Sequence, residues 1–155
     1  MSFQIHALSP TPFQPLFKLS PEELARRGAI KVTAHSDVGF PCRVSLKEAR
    51  SGELLILANY QHQAANSPYR SSHAVYVRET ATQARLAPGV IPDVLDGRLL
   101  SLRGFSSDDM LLTAEVTEGH AAAPGLINMF ENTDVNYIHI HNAREGCFHA
   151  RATRA

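Results

Sequence analysis

From about residue 30 onward, apolar residues recur at every second position in segment after segment. An extended strand points successive side chains to opposite faces, so this alternation predicts strands buried on one face. Strands are expected near 30–34, 53–59, 74–79, 98–105, 110–116, 135–141 and 147–153. Helix signals are few. Ser20 is an N-cap, Pro21 takes the first helical position, and Glu23 completes a capping box; Leu19 and Leu24 form a staple, and Gly28 is the stop. A second helix is expected from Pro124, burying Leu126, Met129 and Phe130. Ser45 with Glu48 repeats the capping pattern and predicts one helical turn after Cys42, ended by Gly52. Ser106–Asp109 reads as a hairpin turn, and 60–73 as a long polar loop. Residues 1–16, with Pro10, Pro12 and Pro15, read as an extended arm. Strand following strand with few helices implies an α+β fold, a single domain built on a mostly antiparallel sheet. The length of 155 residues, 44% of them apolar, suits one domain with one sizeable core.

Several function classes drop out early. Fifteen basic residues balance fifteen acidic ones, and no basic patch with interleaved aromatics occurs, so nucleic acid is not an expected partner. The longest aliphatic run, Leu54 to Ala58, is far too short for a membrane helix. Two cysteines and an N-terminus without a signal-peptide pattern point to a reducing, cytoplasmic location with two free thiols; a single Cys42–Cys147 bridge is the alternative. There is no P-loop, dinucleotide fingerprint, nucleophile elbow, zincin helix or Cys-x-x-Cys pair. His35, His62, His73 and His120 read as surface or turn residues.

The chemistry-bearing residues concentrate in the closing segment, Tyr137 to Arg151. Ile138 and Ile140 share one strand face; Tyr137, His139 and His141 share the other. In a hairpin whose apolar faces coincide, paired residue numbers must sum to an even number. That requires an odd loop such as Arg144-Glu145-Gly146, with Gly146 left-handed. It would bury Phe148 with Ile138 and Ile140, and gather Tyr137, His139, His141, Cys147, His149 and Arg151 on the other face. Three readings of that face compete. It could be a metal site of His139, His141 and His149. It could be a pocket with His141 as acid/base, Cys147 as thiolate and arginine clamps. It could also be a solvated strand face.

Pro41-Cys42-Arg43-Val44-Ser45-Leu46, Ser67-Pro68-Tyr69-Arg70, Val77-Arg78-Glu79, Arg98 to Arg103 and His141-Asn142-Ala143-Arg144 with Gly146-Cys147 follow one another in an order that resembles a bacterial family catalogued as domain of unknown function 1203. The resemblance runs over nearly the whole chain. It implies no known activity, substrate or cofactor. It marks Cys42, Arg43, Tyr69, Arg70, Arg78, Arg103, His139, His141, Asn142, Arg144 and Cys147 as positions of the family pattern, which usually has Pro at position 145 and an Ala-like residue at position 149. On that pattern His149 is peculiar to this chain, which favours the pocket over the metal and predicts that folding needs no metal.

The expected function is therefore binding of a small anionic molecule. His141, Asn142 and Cys147 (or Cys42) would carry any chemistry, and Arg144, Arg78, Arg103, Arg70, Tyr69, Arg43 and Cys42 would form the binding surface. The alternative is a non-enzymatic protein-interaction module. Cofactor, substrate, reaction and oligomeric state are not readable from the chain.

Overall fold

In the computed structural model, which describes residues 1–155, ten strands form two five-stranded sheets flanked by short helices. The elements run β1 (Phe3–His6), α1 (Pro21–Arg26), β2 (Ala29–Thr33), β3 (Pro41–Cys42), β4 (Lys47–Glu48), β5 (Leu54–Gln63), β6 (Ser71–Arg78), α2 (Asp93–Asp96), β7 (Leu99–Phe105), β8 (Leu111–Glu118), α3 (Ala122–Glu131), β9 (Tyr137–Asn142) and β10 (Phe148–Arg154). The first sheet has the order β1-β10-β9-β7-β8, and the second β2-β5-β6-β3-β4. Every pairing is antiparallel except a single parallel contact, Cys42 with Tyr76. The fold is α+β and mostly antiparallel sheet, as the alternation implied. No helix is long and apolar enough to cross a membrane.

Each sheet buries one face. In the first, Leu100, Leu102, Ile138, Ile140, Ala150 and Ala152 pack under Leu126, Met129 and Phe130 of α3. Fully burying a side chain such as Leu126 or Phe130 stabilises by about 1.5–3 kcal/mol. The second sheet packs Ile56, Ala58, Val75 and Val77 against Leu24 of α1. The capping box forms as read: Ser20 N donates to Glu23 Oε2 at 2.8 Å, and Glu23 N donates to Ser20 Oγ at 3.2 Å.

Five local expectations are corrected. The Ser45–Glu48 turn is not helical; residues 43–46 form the tight connection between β3 and β4, with Leu46 left-handed at φ 50°. Glu48 caps nothing at Ser45, because its carboxylate accepts from Phe40 N and pairs with Arg98. Half of the 60–73 loop is strand: β5 reaches Gln63 and β6 starts at Ser71, with Tyr60 facing His73 and a bulge between Tyr60 and Gln63. Its His62 and Gln63 side chains face the other sheet's polar side rather than an apolar core. The second helix begins at Ala122, after a 3-10 turn at Gly119–Ala121, so Pro124 lies inside the first turn. Within the expected arm, residues 3–6 form β1, the edge strand against β10.

The closing hairpin is the fifth correction. Its body has the expected register, Ile138 opposite Ala152 and Ile140 opposite Ala150. Its turn does not. Four residues, Ala143 to Gly146, lie inside the turn that Asn142 and Cys147 close; Asn142 N donates to Cys147 O, and Gly146, at φ 80°, donates to Asn142 O. The extra loop residue is compensated by a β-bulge between Phe148 and Ala150. Phe148 therefore faces His141 and joins the histidine face, and His149 is removed from it.

Candidate metal centre

The polar face of the first sheet is assembled by its ladders. Arg103, His139 and Arg151 lie abreast on β7, β9 and β10, with Ser101, His141 and Phe148 in a parallel row and Phe105 beside Tyr137. The β5–β6 hairpin extends past its own sheet and lays its end on this face. Gln63 Nε2 donates to Tyr137 Oη at 2.7 Å, and Tyr137 Oη donates to Asp109 Oδ1 at 2.6 Å. The His62 ring stacks on Phe148, with centroids 5.1 Å apart, and meets His141 edge-on at 4.9 Å.

His62, His139 and His141 converge: one ligand atom from each lies within 4.8 Å of the other two. A tetrahedral ion with three nitrogens at 2.0–2.1 Å holds them about 3.4 Å apart, so closure needs shifts of only about 1 Å. His141 Nδ1 donates to Gly146 O at 2.8 Å, which fixes the tautomer and leaves the Nε2 lone pair free. The Nδ1 atoms of His62 and His139 are buried without any hydrogen-bond partner. Native interiors rarely leave such atoms unpaired.

The rings are held neutral. Burial above all, with His141, His62 and nearby arginines adding, pushes the His139 pKa down to about 3. Burial pushes His141 down to about 3 despite the Gly146 carbonyl, and Arg103 acts in the same direction. His62 falls to about 4 through burial, then His73 and Arg103. Neutral imidazole is the ligating form. Tyr137 is pushed up to about 12 by burial and its hydrogen bond to Asp109, and so stays protonated. A cleft of about 380 Å³ borders the cluster, lined among others by His62, His139, Tyr137, Asp109 and Arg151.

The family model described as Protein of unknown function (DUF1203) matches residues 39–154. The chain belongs to that family. No curated protein and no solved structure matches it. The matched span of this DUF1203 protein contains all three histidines, with Arg103, Tyr137, Phe148 and Arg151.

The residues singled out in the sequence divide into groups. His139, His141 and Arg103 meet at the cluster. Asn142 and Cys147 adjoin it at the turn: Asn142 Nδ2 and Arg43 Nη2 each donate to Cys147 Sγ at 3.1 Å. Arg43 is 2% exposed, and its remaining donors go to Phe148 O and Pro41 O. Cys42 is buried, and both cysteines are free thiols. Arg78 pairs with Glu53 and reaches Ser45, within the second sheet. Arg70 ties down its own turn through Ala65 O and Asn66 Oδ1, and Tyr69 meets Phe105 edge-on at 6.0 Å. Arg144 is exposed on the turn. His149 is buried beside the Arg43 and Arg98 charges, its Nε2 unpartnered, outside the cluster. The residue missed is His62. Its signal was alternation carried on through Tyr60 and His62, hidden because His62 is flanked by Gln61 and Gln63.

Proposed function

We propose that this protein binds a divalent transition-metal ion through His62, His139 and His141. The observation that carries the reading is the convergence of three neutral imidazoles, His139 and His141 buried and His62 half-buried, with the Nδ1 atoms of His62 and His139 having no partner. Three nitrogen ligands without thiolate or carboxylate suit zinc, copper, nickel or iron rather than magnesium or calcium. Three protein ligands leave a coordination position for water or a substrate, as in catalytic rather than structural zinc sites. A bound ion there would lower the pKa of its water toward about 7 and supply a nucleophile at neutral pH. His62 takes the place that spacing alone gave to His149.

The test is direct. Protein purified without chelator, or stripped and titrated with Co(II) or Zn(II), is expected to hold one ion per chain by elemental analysis. His62→Ala, His139→Ala and His141→Ala should each weaken binding at least tenfold, and His149→Ala should not. Folded His-to-Ala variants that retain full affinity would overturn the reading, as would wild-type protein that takes up no ion.

A further inference from the structure

Three neutral imidazoles leave a bound divalent ion with its full charge. Arg103 stands on the neighbouring strand directly opposite His139, and its charge acts on His62, His139 and His141 alike. It forms no ion pair; its Nε donates to Ser101 Oγ at 3.2 Å, and its two terminal nitrogens have no protein partner. Ser101 is opposite His141, so the guanidinium leans toward the His141 side of the cluster. Arg151, on the other flank of His139, leans the opposite way, over the Tyr137 ring at 4.3 Å. The one carboxylate lining the adjoining cleft, Asp109, is engaged by Tyr137. A half-buried cation beside a divalent ion, with no protein anion between them, is electrostatically incomplete.

Building on the metal reading, we infer that the ligand of this centre is a small oxyanion, one oxygen on the metal and the rest of the anion facing the Arg103 guanidinium. Arg is the side chain whose planar pair of donors matches two oxygens of a carboxylate or phosphate. The assignment explains an arginine placed where it would otherwise only repel the ion.

The experiment uses the Co(II)-loaded full chain, whose visible spectrum reports exchange at the open position. Acetate, inorganic phosphate and neutral imidazole are titrated separately, against wild type and Arg103→Gln, with Arg103→Lys as the charge-conserving variant. Acetate or phosphate should saturate the wild-type spectrum, and the anion with the lower midpoint identifies the class. Arg103→Gln should raise that midpoint at least tenfold, while Co(II) affinity does not fall, because a repelling charge is gone, and the imidazole midpoint does not rise; Arg103→Lys should fall between, because charge returns without the fork. Equal weakening of imidazole and anion would make Arg103 merely structural and overturn the inference. So would an anion midpoint indifferent to Arg103, or no anion response in a Co(II)-loaded wild type. Failure of the wild type to bind Co(II) at all defeats the metal reading first, and is distinguished by the absence of any cobalt spectrum.

Discussion

His149 is the extra residue of the β10 bulge, buried with an orphaned Nε2, and its pKa is driven well below 6.5 by burial, then by Arg43 and Arg98. The native state therefore holds this ring neutral where the unfolded chain would protonate it. Its contribution to stability is full above the unfolded-state pKa and is lost as pH falls below it, by about 1.4 kcal/mol per pH unit. Urea unfolding at pH 7, 6 and 5 should show a steeper slope than this, because His62, His139 and His141 are also held neutral and add in the same direction; His149→Gln should reduce the slope by about one proton. Arg43 is the counterpart at the same bulge, its guanidinium satisfied by Pro41 O, Phe148 O and Cys147 Sγ. Arg43→Ala strands those acceptors and should cost about 3 kcal/mol or more in the same assay. Neither environment was legible in the sequence. An arginine reads the same facing in or out, and the burial of His149 follows from a bulge that no local motif announces.

At the level of elements, most of the strand set was legible because alternation is a local consequence of one-sided burial, and α1 because its caps are local hydrogen bonds. Ser20→Ala removes an observed cap and should lower stability by about 1 kcal/mol, read as a shifted denaturation midpoint. What was not legible depended on compensation between elements. The closing hairpin kept its register by pairing a four-residue turn with a bulge, where parity alone suggested one odd loop. Gly119 is another case. Its amide donates to Arg98 O at 2.7 Å, and a Cβ there would lie 1.7 Å from Leu95 O, against backbone. Gly119→Ala must push α2 away from the 3-10 turn, and is expected to lower the melting temperature far more than Gly97→Ala, whose added Cβ meets nothing within 4 Å.

Across the whole molecule, the candidate site belongs to neither sheet alone: His139 and His141 stand on one, and His62 arrives on a hairpin from the other. That is why the sequence showed two members and not the third, since only the docking of the sheets makes residue 62 a neighbour of residue 139. Each sheet has its own apolar core, so the metal-free chain should remain folded at 25 °C. On the metal reading, an ion at one hundred times its dissociation constant adds about 2.7 kcal/mol. Calorimetry with zinc against chelator should then show a rise of about 5–10 °C. His62→Ala should abolish that rise and keep a cooperative transition. The split ligand set also orders events during synthesis. The strand bearing His62 is made well before β9, so an incomplete chain presents a lone imidazole with little hold on any metal. Only a finished chain with its sheets docked could capture the ion, and occupancy would then report that assembly is complete.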